Sequence, residues 1–481
     1  MGREEQIINE RLRKLKELRG NKIDPYPNKY DKKNSVEECL KTKNGKVKTA
    51  GRLMTKRDIG KIAFCDLQDE TGKIQIVLQV DGTPERQIEF FKKYIDTGDF
   101  VGVEGKIFKT KTKQISILIE KIELLTKSIL PLPEKFHGLK DEEERYRKRY
   151  LDMLMNPEVK EVFVKRNKIM IAIREFMDKN GFVEIETPIL QSVYGGAVAK
   201  PFKTYCDAFG SDVFLSIAPE LYLKKALVGG FERVYEITKK FRNEGIDRNH
   251  NPEHMTIEWY QSYASYKEGM EMVKKFIEYI VKKIYNGTIF EYNRNKIDVS
   301  KWRVLTLEQA IKEYLHEDIS EIKTDGDAKR VAKKHGINTE GVTKINIPDE
   351  LIKLFRNKLI QPTFLIDYPI ELAPLAKPKK EDPNKAEIFQ PFIGGLEIAR
   401  AYSELNDPKL QEEHFKEQEE ERKRGNIEAM PTDSDFVNAL AHGMPPACGV
   451  GFGIERLIML LTNKTSVRDV LTFPFMKPDT F

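Results

Sequence analysis

Residues 241–260 read FRNEGIDRNHNPEHMTIEWY, and the kind of domain in this chain turns on them. Phe241, Arg242, Asn243 and Glu244 lead into a polar loop that carries Asp247, Arg248, His250 and Asn251. From His254 to Tyr260 the residues are those of a strand. Glu258 and Tyr260 stand two apart on it, so they share one face. A carboxylate and a phenol side by side, next to a guanidinium at a loop, suit a polar ligand.

A second arginine lies more than 200 residues away, in Gly449-Val-Gly-Phe-Gly453 followed by Ile-Glu-Arg456. The glycines look like a dinucleotide fingerprint, but the spacing is wrong and a helix start replaces the third spaced glycine. Alone, this run reads as a tight turn. The phosphate-loop pattern is missing too, since each Gly-Lys pair (45–46, 60–61, 72–73, 105–106) is followed by Val or Ile. Arg242 and Arg456 together, each beside a sharp backbone feature, are suited to clamp a triphosphate from both sides. Further along, Tyr402 and Glu404 repeat the two-apart spacing of a shared strand face.

Working outward, residues 157–180 read as a long helix with Val162, Ile169, Ile173 and Phe176 on its apolar side. A strand follows from Phe182 to Glu186 and ends at Thr187-Pro188. Strands and helices then mix without βαβ alternation, which points to an α+β domain with an antiparallel sheet over 151–481. Residues 300–365 are charged, helical and without a motif, an elaboration within that domain. Residues 126–150 read as a linker, Pro-bearing first and then helical. Ahead of it, strand-like runs at 46–54, 61–68, 73–80, 99–108 and 114–124 hold one helix, 84–95, between the third and fourth. That order is the layout of an OB-fold barrel over 46–125, which commonly binds oligonucleotides. Residues 1–45 form a basic extension; its helix, 4–19, sets Ile8, Leu12, Leu15 and Leu18 near one stripe, with Arg11, Arg13, Lys14 and Lys16 largely off it.

Composition narrows the class. With 481 residues, 40% hydrophobic and 33% charged, the chain suits two or three soluble domains. It has no apolar run long enough to span a membrane and no apolar signal-peptide core, which leaves the cytoplasm as the expected compartment. Cys39, Cys65, Cys206 and Cys448 make no CxxC pair, so neither a zinc site nor a disulfide framework is indicated. The net charge is +6, yet residues 1–61 hold 18 Lys and Arg against 9 Asp and Glu. A basic front on a near-neutral body suits contact with a polyanion.

Thr187-Pro188, FRNEG at 241–245 and GFGIER at 451–456 resemble motifs 1, 2 and 3 of class II aminoacyl-tRNA synthetases. GGAVAKPF (195–202), APELYLK (218–224), HNPEHMTIEWY (250–260) and AYSELNDP (401–408) resemble the lysyl-tRNA synthetases, and residues 50–75 resemble their anticodon-binding barrel. The resemblance implies ATP-dependent activation of lysine and its transfer to the 3′-terminal ribose of tRNA(Lys), with ATP and Mg²⁺ required. It implies a homodimer formed through the segment ending at Pro188, with neither DNA nor a membrane as a partner. By resemblance, Arg242 bridges the α-phosphate and the lysine carboxylate, and Arg456 holds the γ-phosphate. Glu244, His250, Asn251, His254, Ile398 and Gly453 line the nucleotide, and Glu397 holds Mg²⁺. Glu258, Tyr260, Tyr402 and Glu404 hold the side-chain ammonium of lysine, while Glu220 and the Gly196 backbone hold its α-amino group. On the barrel, Phe64 stacks on an anticodon base, with Arg57 and Gln75 nearby.

Three positions depart from the common form of the family. Gln390 stands where a second Mg²⁺-binding glutamate is usual, Arg400 where an asparagine contacts the substrate carboxylate, and His254 where a phenylalanine stacks on adenine. Arg400 is then expected to neutralise charge that a metal would otherwise carry. Strict alternation puts Glu397 and Glu404 on opposite faces, so a shared site needs a β-bulge between them. Arg400 also keeps an aspartyl- or asparaginyl-type synthetase open, although Glu258 and Glu404 argue against it. The barrel argues against a paralogue that lysylates protein. Arg242, Glu244 and Arg456 argue against a non-catalytic RNA-binding protein.

Overall fold

The computed structural model describes residues 2–133, 141–423 and 429–478. The chain divides into two compact units, Met1–Lys140 and Asp141–Phe481.

In the first unit, β1 (Gly45–Ile59), β2 (Ile62–Gln68), β3 (Lys73–Gln79), β4 (Phe100–Lys109) and β5 (Ile115–Thr126) close into a barrel in the order β1-β2-β3-β5-β4. The helix Glu85–Tyr94 lies between β3 and β4, where the sequence places it. Alternation turns Ala63, Cys65 and Leu67 of β2 into the barrel core, together with Ile74, Ile76 and Leu78 of β3.

The N-terminal helix, Arg3–Gly20, corrects the reading of its stripe. Leu18 is buried, but Leu12 is 45% exposed and Arg11 is 6% exposed. The Arg11 guanidinium donates to the carbonyls of Ser128, Leu130 and Thr97 at 3.1, 2.9 and 2.8 Å. Its fork of donors satisfies loop carbonyls that an apolar side chain would leave unpaired. The residues expected to open the linker are likewise tied to the barrel, because buried Lys127 pairs with Asp96 at 2.5 Å and Asp99 at 2.8 Å. Residues 134–140 of that linker lie outside the described residues, and its charged helix, Glu142–Arg147, belongs to the second unit.

The second unit is built on one sheet. Its strands are β6 (Val183–Glu184), β7 (Arg233–Phe241), β8 (Glu253–Ser262), β9 (Arg303–Thr306), β10 (Thr363–Ile366), β11 (Ile388–Ile393), β12 (Leu396–Glu397), β13 (Ala399–Ser403) and β14 (Ala447–Gly453). They run β9-β10-β11-β13-β14-β8-β7-β6, with β12 paired to β11. Pairing is antiparallel except for β6 with β7 and β9 with β10 at the two ends. The strand read at 182–186 is therefore two residues long and at the sheet edge. Residues 300–365 are not wholly an elaboration, because β9 and β10 at their ends are strands of this sheet. Between those strands the helices Leu307–Leu315, Asp325–Lys334 and Ile347–Phe355 pack a core of their own.

One face of the sheet is covered by the helices Pro157–Lys179, Tyr266–Tyr285 and Ile454–Thr462. Ile257 and Trp259 of β8 and Val450 and Phe452 of β14 point into that core with Ile173, Phe176 and Phe276. Period-2 alternation then leaves Thr256, Glu258 and Tyr260 on the opposite face, with Gly449, Gly451 and Gly453 beside them. The run read as a turn is thus a central strand, and its glycines leave room above the sheet. Among the described residues no helix is long and apolar enough to cross a membrane.

Candidate active site

A cavity of about 340 Å³ opens on this second face. The loop 242–252 and β8 supply Arg242, Glu244, His250, Asn251, His254, Glu258 and Tyr260 to its wall. From β12, β13 and the residues beside them come Glu397, Ile398, Arg400, Tyr402 and Glu404, and from β14 and the next helix Gly453 and Arg456. Gly196 and Glu220 complete the set.

Glu397 and Glu404 reach one cavity because the strand is irregular. Pairing steps from Phe389↔Ala401 to Phe392↔Glu397, three residues on β11 against four on its partner. The extra residue reverses the facing of everything before it, as a bulge does. Gln390 lies on that same side of the sheet, since Ile388 and Phe392 pair with the cavity residues Tyr402 and Glu397. It shares a face with Ile388 and Phe392, which pack into the core of the helical insertion, and its Oε1 accepts from the buried Tyr368 hydroxyl. Its carboxamide is engaged with Tyr368 and does not itself line the cavity. Among the described residues, no three His, Cys, Asp or Glu side chains group as metal ligands.

Two clusters of opposite charge share the cavity. In the acidic one, Tyr402 donates from its hydroxyl to Glu220 Oε1 at 2.6 Å, and Tyr260 donates to Glu258 Oε2 at 3.4 Å. Glu404 is fully buried, and its Oε1 has no hydrogen-bond partner. Burial, reinforced by Glu220, pushes Glu258 up to about 8, against the pull of Lys240 and Arg242. Close approach here depends on Gly449, since a Cβ at that position would sit 2.1 Å from Glu404 Oε1 and 2.3 Å from Tyr260 Cε1. Gly196 has φ +83°, and a Cβ there would meet Glu220 Cβ at 2.9 Å.

In the basic cluster, Arg456 donates from Nη1 to the Glu397 carbonyl at 2.6 Å and from Nη2 to His250 Nε2 at 3.3 Å. The other ring nitrogen of His250 faces Asp247 Oδ2 at 2.8 Å, so Asp247 orients the ring. Burial, with Arg242 and Arg456 nearby, depresses His254 to about 3, leaving a neutral ring at working pH. Arg242 acts electrostatically on Glu258 in one cluster and on Arg456 in the other. Arg242 Nε, Asn251 Oδ1 and Thr256 Oγ1 are buried without partners on this wall, a demand met by a ligand that offers anionic oxygens to the two donors and an N–H or O–H to the Asn251 oxygen. Arg400 donates to the Leu372 carbonyl at 3.0 Å and also offsets the burial of Asp349, on the insertion helix Ile347–Phe355.

Lys224 and Thr256 escaped the sequence reading. Lys224 carried a legible signal, four residues after Glu220 on the helix Glu220–Val228, where the two side chains meet. On the barrel, Arg57 is exposed and pairs across β1 and β2 with half-buried Phe64. Gln75 is 6% exposed and accepts from the Ser116 hydroxyl at 3.0 Å, so its carboxamide oxygen is already engaged.

Residues 141–477 match the family described as tRNA synthetases class II (D, K and N), and residues 47–125 match the OB-fold nucleic acid binding domain. The chain is 46% identical to the lysine–tRNA ligase of Thermoanaerobacter pseudethanolicus, over 98% of this chain and 96% of that protein. The lysine–tRNA ligase of Clostridium novyi is also 46% identical, over 98% of this chain and 94% of its own. For that of Clostridium perfringens the identity is 44%, over 99% and 97%. With both domains matched and near-complete coverage of these relatives, the chain belongs to the class II tRNA synthetases, in the family of the lysine–tRNA ligases.

Proposed function

We propose that the cavity joins lysine to ATP as lysyl-adenylate and then passes the lysyl group to the 3′-terminal ribose of tRNA(Lys). The observation that carries this is the convergence of Glu220, Glu258 and Glu404 with two tyrosines at a cavity that also holds Arg242 and Arg456. Desolvating an ammonium is costly unless carboxylates and hydroxyls replace its water, and these residues do so. An uncharged or acidic side chain would leave the carboxylates unpaired.

In the first step a lysine carboxylate oxygen attacks the α-phosphorus, the bond to the bridging oxygen breaks, and pyrophosphate leaves. That carboxylate is ionised at neutral pH, so no general base is needed. The enzyme's contribution is position and charge. Arg242 reaches the lysine carboxylate and the α-phosphate, and Arg456, oriented by His250, holds the far phosphates. Glu244, Asn251 and the neutral His254 ring contact the nucleotide, with the backbone of Ile398 and Gly453, and Arg400 adds positive charge beside the lysine carboxylate. In the second step the ribose hydroxyl attacks the carbonyl carbon, its proton leaves, and AMP departs.

The Glu397 carboxylate in the cavity wall would hold a Mg²⁺ ion that arrives on ATP. Bound there, the ion would neutralise phosphate charge. On the barrel, Phe64 with Arg57 is the stacking platform for the anticodon, and Gln75 contributes through its amide nitrogen at most. The homodimer reading rests on the segment ending at Pro188, around which Val183, Leu190 and Val193 are exposed. A cytoplasmic location matches the supply of ATP and tRNA.

The reading is tested by pyrophosphate exchange with each amino acid in turn. Lysine alone should support it; exchange with aspartate or asparagine, or with none, would refute it.

The raised Glu258 carboxyl gives a pH prediction. Near pH 7 a carboxyl pushed up to about 8 is mostly protonated, and pairing with an ammonium ionises it. Lysine binding at pH 7 should therefore release about one proton, and affinity should improve as pH rises towards 8. Conversely, a carboxyl raised on folding stabilises the ligand-free protein most below the ordinary carboxylate range, and that stabilisation fades as pH rises through about 8. Calorimetry in buffers of different ionisation heat measures the released proton. Uptake or no exchange would show that Glu258 does not meet the ammonium.

A further inference from the structure

We propose that Lys224 is a specificity-determining positioning residue, a fixed internal counter-cation behind the acid cluster that holds Glu404 and Glu220 in place for the incoming lysine. The proposal rests on the reading of this cavity as the lysine pocket.

Lys224 Nζ lies 2.7 Å from Glu220 Oε1 and also pairs with Glu404 Oε2. Its side chain is fully buried. Lys224 does not line the cavity; it stands behind the two carboxylates that do. The Tyr402 and Phe436 rings lie 5.6 and 5.8 Å from its ammonium, and helical spacing fixes it against Glu220. It is therefore part of the wall and not a placeholder that substrate must evict.

The arrangement divides the oxygens. Lys224 forms an ion pair with Glu404 Oε2 and shares Glu220 Oε1 with the Tyr402 hydroxyl, while neither buried Glu404 oxygen has a hydrogen-bond partner and Oε1 has no ion-pair partner either. Lys224 is the ammonium paired with Glu220 and Glu404, while Glu258 feels Lys240 and Arg242, so a bound lysine brings its two ammonium groups to a cluster whose charge is already partly offset. A neutral residue at 224 would leave a surplus negative charge in a dry site, which the protein would relieve by protonating a carboxyl.

The groups facing this ammonium are Glu220 on its own helix, Glu404 beside β13 and the Tyr402 ring, while Glu258 and Tyr260 on β8 and Cys448 on β14 face Glu404. Burial by itself would lower Lys224, but Glu220 and Glu404 outweigh it and the ammonium is held above its ordinary range. Burial pushes Glu404 up and Lys224 opposes that push.

The test compares wild type, Lys224→Met and Lys224→Arg in lysine-dependent pyrophosphate exchange between pH 6 and 9. Lys224→Met is expected to raise KM for lysine at least about tenfold at pH 7, with a smaller change in kcat and an unchanged KM for ATP. The acid limb of kcat/KM for lysine should move to higher pH by about one unit. Lys224→Arg keeps the charge and should retain the wild-type acid limb. An unchanged or lower KM for lysine in Lys224→Met, or an unmoved acid limb, overturns the proposal. Should Lys224→Met fail to fold, Lys224→Arg decides: a wild-type acid limb supports the counter-cation, and a shifted limb or an equal loss towards lysine and ATP overturns it. Wild-type enzyme that fails to activate lysine would instead refute the underlying reading.

Discussion

Arg242→Ala should lower kcat/KM for adenylate formation by about 10³-fold, with the thermal midpoint nearly unchanged. The backbone of Arg242 is anchored by its N–H to the Pro252 carbonyl at 2.8 Å, which the substitution keeps. Its Nε, by contrast, is buried without a partner, so truncation breaks no hydrogen bond of that atom in the ligand-free protein. In the reaction the guanidinium faces a carboxylate and a phosphate that must approach each other, two anions whose repulsion a point between them screens best. Arg242→Lys should recover only part of the loss, because an ammonium lacks the planar fork that binds both groups at once. Pyrophosphate exchange at saturating lysine and ATP separates this from a binding defect. An Arg242→Ala enzyme within about tenfold of wild type would remove Arg242 from the chemical step.

Glu404→Gln should raise KM for lysine by about 10²-fold or more and leave KM for ATP unchanged. The amide has the shape of the carboxylate, so packing against Gly449 and Tyr260 is preserved. What is lost is the charge that meets an ammonium in a dry site, and Lys224 is left with Glu220 as its one remaining ion-pair partner. Removing one partner of a buried pair costs about 2–5 kcal/mol, much of it from the charge left behind. Glutamine at 404 should also narrow the gap between lysine and its uncharged analogues, which exchange with norleucine would reveal. A lysine KM within about threefold of wild type would place the ammonium elsewhere.

Much of the fold was legible because it follows from local period. The barrel strands and their single intervening helix, the long helix Pro157–Lys179, and the shared face of Glu258 and Tyr260 rest on spacings of two and of three to four residues. The basic N-terminal extension was legible only in bulk. Its surplus of Lys and Arg is real, yet Lys14, Lys32 and Lys41 are paired with Asp96, Asp69 and Glu37, and Arg11 is buried. Which charges remain free is decided largely by partners that are distant in the chain.

The candidate lysine and ATP site around Arg242, Glu258, Tyr402, Glu404 and Arg456 was legible through the resemblance of those motifs to the lysyl-tRNA synthetases, with two-residue spacing adding only that Glu258 and Tyr260, and Tyr402 and Glu404, share strand faces. Tertiary structure decided which face each residue meets. One extra residue between Phe389↔Ala401 and Phe392↔Glu397 brings Glu397 into the cavity with Glu404, while Gln390, on the same face, is engaged by Tyr368. Glycines that read as a turn became the open floor above a central strand. Lys224 came to rest between Glu220, one helical turn away, and Glu404, which is remote in the chain. Register and burial depend on partner strands that local sequence does not name, and a shift of one residue exchanges the two faces.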